Sequence, residues 1–160
     1  MAVSACGLGL LPKAPGTWGS LPPVLVVLVC GHFHICPIIT LGILIFFIIA
    51  MSIVTITAAP WYEAHFGQKD PPQVVSDEVS GQSIALLGMA WLSPPTEQPE
   101  IWIGLAILSF VLFRLFDIWK PGLIDTAQRI KGGWGVLLDD VFAGIVAGGI
   151  ILIIATMFVR

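Results

Sequence analysis

Charge is what this sequence most lacks. Only 11% of its 160 residues are Asp, Glu, Lys or Arg, where a soluble domain carries about 25%. That shortage excludes an ordinary soluble globule. Basic residues are scarcer than acidic ones, 7 against 10, for a net charge of −3, so no positive field is available to hold nucleic acid. Cysteine is limited to Cys6, Cys30 and Cys36. They have no zinc spacing and sit in or beside apolar runs, so they read as small buried hydrophobes. The first apolar stretch lacks a basic segment and a small-residue cleavage site before it, and no cleavable signal peptide is expected.

What is abundant is apolar sequence, 57% of residues at a mean hydropathy of +0.97. Ile38 to Ala59 runs without a charge and is long enough as a helix to cross a hydrocarbon core of about 30 Å. Val141 to Val159 is a second clear span, and Ile101 to Phe116 a third, broken only by Arg114. Two weaker spans complete the set. One runs from Leu21 to Cys30, extended toward Cys36, with Pro22 and Pro23 suiting a helix start. The other runs from about Val74 to Leu92, with Asp77 and Glu78 in its first turns. The expectation is an all-α, polytopic membrane bundle of about five helices, forming one domain over residues 1–160.

Basic residues give the orientation. With the N-terminus inside, Lys13, Lys69, Lys120, Arg129 and Lys131 fall on the inner side, as the positive-inside rule requires. The outer segments Gly31 to Pro37 and Ser93 to Glu100 carry no Lys or Arg, and only Arg160 falls outside. Trp18, Trp61, Trp119 and Trp134 fall at inner helix ends, and Trp91 and Trp102 at outer ends, as interfacial tryptophans do. The same topology puts Glu63, Asp70, Asp77, Glu78, Asp117, Asp125, Asp139 and Asp140 at the inner face. Glu97 and Glu100 are left outside.

Four polar clusters converge on that face. The first, residues 7–20, combines glycines with Lys13, Thr17 and Ser20 ahead of a helix, an arrangement suited to an anion or to a plain N-cap. The second, Ser76-Asp77-Glu78-Val79-Ser80-Gly81-Gln82, places Gly81 on the face of Asp77, where a neighbouring helix or ligand can approach. The third spaces Arg114, Asp117 and Lys120 every three residues along one side of a helix end. This is either a salt-bridge ladder or, near hydrocarbon, a functional group. The fourth delivers Asp139 and Asp140 from a Gly-rich turn, followed by a Gly144-x-x-x-Gly148 pair suited to close helix packing.

Read together, Asp77, Glu78, Asp117, Asp139 and Asp140 are five carboxylates that would repel unless cations joined them. Their hard oxygens select Mg²⁺, Mn²⁺ or Ca²⁺. Metal together with Lys13, Arg114 and Lys120 suits a phosphate dianion. His32, His34 and His65 have no ligand spacing and read as structural. Cys36 occupies the position where a C-x5-R phosphatase loop starting at Cys30 needs Arg, which excludes that chemistry.

The segments 12–20, 76–82, 113–121 and 132–144 resemble, in order and separation, the bacterial phosphatidylglycerophosphatase A family, over residues from about 7 to 149. The resemblance implies a Mg²⁺-dependent phosphatase of the bacterial cytoplasmic (inner) membrane, acting on phosphatidylglycerophosphate with one or two metal ions. By position it implies Asp77, Glu78, Asp117, Asp139 and Asp140 as metal-binding and catalytic. Lys13, Thr17, Ser20, Arg114 and Lys120 then hold the phosphate, and water attacks in line at phosphorus. Gly122-Leu123-Ile124 departs from the pattern after Lys120-Pro121, and Asp70 carries less weight because residues 59–72 align poorly. The alternative from another class is a small cation transporter or channel using the carboxylates. Besides the bilayer and the lipid, no partner is implied, and the oligomeric state is left open.

Overall fold

The computed structural model describes residues 1–91 and 99–158, without the side chains of Leu123, Asp125, Gln128 and Phe158. The expected outer segment with Glu97, and Arg160, lie outside the described residues, as does the Asp125 side chain. The described residues contain helices and no strand.

An irregular 3₁₀ segment, Ala5–Leu10, leads into a short helix α1 (Pro15–Gly19). There follow α2 (Leu21–His32), α3 (Pro37–Phe66), α4 (Ser76–Ala90), α5 (Pro99–Trp119), α6 (Leu123–Gln128) and α7 (Gly133–Phe158). Proline opens α1, α3 and α5, where its missing N–H costs nothing. Gly67, at φ 68°, ends α3. Lys120 ends α5 at φ 46°, a left-handed conformation that disfavours a side chain by about 1–2 kcal/mol.

Helices α3, α5 and α7 are long and apolar enough to cross a membrane. The two weak spans are shorter than expected. The 12 residues of α2 reach only about 18 Å and the 15 of α4 about 22 Å. For α4 the reason is packing. It contacts α2, α3, α5 and α7, and eleven of its fifteen residues are buried. A helix wrapped by protein need not be uniformly apolar or match the bilayer, and α4 carries serines, a glutamine and two acids among its apolar residues.

Hydroxyl groups fix α4 against α3. Thr55 Oγ1 and Ser76 Oγ share a hydrogen bond of 2.6 Å, Ser52 and Ser80 one of 2.8 Å, and Ser80 Oγ also reaches the Ile48 carbonyl at 3.0 Å. In hydrocarbon each such bond is worth about 0.6 kcal/mol. On the opposite side α4 meets α7 backbone to backbone. A Cβ at Gly144 would press on the Gly81 carbonyl group, and one at Gly148 would lie 3.1 Å from the Ile84 carbonyl oxygen and 3.2 Å from Ala85 Cα. The Gly144-x-x-x-Gly148 pair is thus a packing device.

Two smaller expectations are corrected. Cys30 is buried, but Cys6 and Cys36 are exposed, because neither lies on a face that another helix covers. Trp102 lies in the first turn of α5 and turns inward. Its indole fills the space left by Gly31 and its Nε1 donates to the Val27 carbonyl at 3.3 Å.

Candidate active site

Four elements deliver polar side chains to one end of the bundle. The first turn of α4 supplies Asp77 and Glu78, the last turns of α5 supply Arg114 and Asp117, the second turn of α7 supplies Asp139 and Asp140, and α1 caps them from outside. Asp77 and Asp140 face each other because Gly81, one turn beyond Asp77, lets α7 approach. A Cβ on Gly81 would stand 2.7 Å from the Asp140 carbonyl oxygen.

Asp77, Glu78 and Asp140 each place one carboxylate oxygen within 4.8 Å of the others. Asp77 Oδ1, Glu78 Oε2 and Asp140 Oδ1 are all buried with no hydrogen-bond partner. Three carboxyl oxygens without partners in one buried place are a costly arrangement by themselves. Hard oxygen donors in that number fit a divalent cation.

The other two predicted acids are engaged differently. Asp117 Oδ2 lies 2.7 Å from Arg114 Nη1. Asp139 uses both oxygens: Oδ2 accepts from Lys120 Nζ at 2.5 Å and Oδ1 from the Asp140 backbone N–H at 3.2 Å. The expected ladder of Arg114, Asp117 and Lys120 is therefore split. The left-handed turn at Lys120 carries its ammonium away from α5 to α7. Burial works to lower the Lys120 pKa. The Asp139 hydrogen bond and the fields of Asp139, Asp117 and Asp140 outweigh it and hold the pKa above its ordinary value.

An open cleft of 340 Å³ leads to this cluster, lined by Ala14, Pro15, Gly16, Asp70, Pro72, Val74, Glu78, Arg114, Asp117, Ile118 and Lys120. Arg114 brings a second kind of orphan to it. Its Nε is buried with no hydrogen-bond partner, and its Nη1 is held only by the ion pair with Asp117. A donor left open beside open acceptors suits an anion that arrives with a cation.

The N-terminal residues fall into two groups. Gly16 is part of the site, since a Cβ there would collide with Glu78 Oε1 and stand 3.0 Å from both Arg114 Nη atoms. Ser20 is buried and turned elsewhere, its Oγ donating to the Gly16 carbonyl at 2.8 Å. No side-chain cap forms at the start of α1 or α2. Lys13 is exposed, its carbonyl accepting from Trp18 Nε1 at 3.1 Å. Neither Lys13 nor Thr17 is among the residues lining the cleft. Sequence reasoning gave too little weight to Asp70, which lines the cleft from the loop ahead of α4. The signal was available in an acid seven residues before Asp77, followed by the Pro71-Pro72 turn.

A helical bundle with three membrane-length helices and a buried carboxylate cluster beside arginine and lysine suits a membrane-bound phosphatase. The chain belongs to the phosphatidylglycerophosphatase A family, whose model matches residues 1–155. It is 31% identical over 153 residues to phosphatidylglycerophosphatase A of Escherichia coli, covering 92% of this chain and 78% of that one. It is 32% identical over 142 residues to the same enzyme of Haemophilus influenzae, covering 88% and 78%. A Bacteroides thetaiotaomicron protein with the provisional name phosphatidylinositol-3-phosphatase is 34% identical over 139 residues, covering 87% and 82%. No solved structure matches the chain. The transporter alternative gains no support from these relatives.

Proposed function

We propose that the chain removes the terminal phosphate of phosphatidylglycerophosphate, with Mg²⁺ as cofactor, leaving phosphatidylglycerol. It works in the bacterial cytoplasmic membrane with its N-terminus and site toward the cytoplasm. The substrate follows the names of the two phosphatidylglycerophosphatase relatives, and the orientation follows the distribution of Lys and Arg. The observation that carries the reading is a cluster of three carboxyl oxygens without hydrogen-bond partners, one of them on Glu78 in the cleft wall, beside the unpartnered Nε of Arg114 in the same wall. A metal and a phosphate together satisfy both; either alone leaves one set unfilled.

Asp77, Glu78 and Asp140 hold the cation in this reading, with Asp117, Asp139 and Asp70 close enough to bias it or to take a second ion. When bound, Mg²⁺ supplies positive charge against the phosphoryl oxygens and lowers the cost of forming the nucleophile. Arg114 offers Nε to the phosphate. Lys120 stays charged through its pairing with Asp139 and faces the same cleft. Lys13 and Thr17 border the entrance as the lipid phosphate arrives, and Ser20 acts by holding Gly16. Water adds to phosphorus, the bond from phosphorus to the glycerol oxygen breaks, and the leaving oxygen takes a proton. The carboxylates around the cleft are the available proton carriers.

The test is phosphate release from phosphatidylglycerophosphate by detergent-purified protein with Mg²⁺ and then with EDTA. Release that stops in EDTA, and falls at least about a thousandfold in Asp77→Asn and Asp140→Asn while both variants stay folded, is expected. Undiminished release by both variants overturns the site. Release from phosphatidylinositol 3-phosphate alone moves the substrate to the headgroup named for the Bacteroides relative.

A further inference from the structure

Of the seven basic residues in the chain, Arg114 and Lys120 line the catalytic cleft and are paired with its acids. Three others line a separate cavity of 430 Å³, formed by Glu63, Gly67, Gln68, Lys69, Arg129, Lys131 and Gly132. Its lining carries three basic side chains and Glu63. The cavity joins three parts of the chain: the end of α3, the loop after it, and the turn between α6 and α7. Gly67 at φ 68° and Gly132 at φ 67° make the two reversals that bring Lys69 and Lys131 to it.

Its depth in the membrane is marked independently. Trp61 lies half a turn before Glu63, and Trp134 two residues after Gly132. Both indoles are more than half exposed, at 54% and 55%. Tryptophans exposed at the ends of membrane-length helices sit at headgroup level. An open cation-lined cavity at that level meets phosphodiester groups before anything else in the bilayer.

We propose that this cavity is a binding site for the headgroup of an anionic phospholipid other than the substrate, held by Lys69, Arg129 and Lys131. The bound lipid anchors the loop that carries Lys69 and Asp70. Because Asp70 lines the catalytic cleft, the site is placed to set the position of one wall of that cleft. Binding here does not rest on the substrate assigned above, and its failure is distinguishable from a failure of that assignment.

The experiment is a titration of delipidated, detergent-purified full chain with dioleoyl phosphatidylserine, which has no phosphomonoester, against dioleoyl phosphatidylcholine. Lipid retention is read by native mass spectrometry and melting temperature by intrinsic fluorescence. Preferential retention of the anionic lipid is expected, weakened about fivefold for each cation removed in Lys131→Gln and in Lys69→Gln with Lys131→Gln. Lys131→Arg keeps the charge and keeps the binding. Arg114→Gln, in the other cleft, leaves retention unchanged. Equal retention of the two lipids overturns the proposal. So does equal weakening by Lys131→Arg and Lys131→Gln, or loss in Arg114→Gln instead. Displacement of the lipid by millimolar inorganic phosphate makes a free anion the occupant and overturns the lipid assignment.

Discussion

Gly16→Ala adds one methyl group and removes no charge, yet it strikes the site at its most crowded point. The new Cβ would overlap Glu78 Oε1 and stand 3.0 Å from both Arg114 Nη atoms. Both neighbours are the ends of flexible side chains, so they give by moving their functional groups rather than by unfolding the site. Glu78 belongs to a helix held on four sides, and Arg114 is pinned by Asp117 at 2.7 Å. Either α1 lifts away or the Glu78 carboxylate moves by about an ångström, a displacement that costs on the order of a hundredfold in rate at a reacting centre. Crowding of this kind destabilises by about 1–3 kcal/mol, so the variant remains folded. Phosphate release at saturating lipid should fall about a hundredfold in kcat, with the melting temperature lowered by only a few degrees. Gly104→Ala, whose Cβ meets nothing within 4 Å, is the matched control and should match the wild type. A wild-type rate in Gly16→Ala would show that the packing of α1 on Glu78 and Arg114 has no part in the chemistry.

Ser20→Ala removes a buried hydrogen bond to a carbonyl that the Ser20 backbone N–H also meets at 3.0 Å. It should cost about 0.5–1.5 kcal/mol in thermal unfolding and change the affinity for substrate little. A large rise in KM would return Ser20 to the phosphate site. Lys120 has a raised pKa in the folded protein, so its stabilising contribution is complete below its ordinary value of 10.5. That contribution is lost only as pH rises through the higher folded value. The difference in melting temperature between wild type and Lys120→Met should therefore be flat from neutral pH to about pH 10 and shrink above it. A difference that vanishes below pH 9 refutes the pairing.

The membrane class, the helical fold and the gathering of acids at one end were legible because they depend on charge counts and apolar run lengths, which need no tertiary information. The lengths of α2 and α4 were not. Hydropathy reads a helix as if lipid surrounded it, whereas α4 is surrounded by protein and its serines are satisfied by α3. Within the site, sequence spacing placed Arg114, Asp117 and Lys120 on one face. It had no means to show that Lys120 leaves the helix in a left-handed turn and pairs with Asp139. Spacing also made five acids equivalent. The structure separates the three with orphaned oxygens from the two engaged with cations. Gly16 showed only as loop flexibility, because its contacts lie some sixty and a hundred residues away in sequence.

The burial of α4 also bears on how the protein is made. The helix carrying Asp77 and Glu78 is short and rich in hydroxyls, and its most extensive partner is α7, which is synthesised well after it. Until α7 arrives, Gly81 and Gly88 face an empty groove, and the two acids have no Asp140 opposite them. A chain cut before Gly133 lacks Asp139 and Asp140 and the helix that α4 packs against most extensively. Assembly of the carboxylate cluster therefore waits on the arrival of α7.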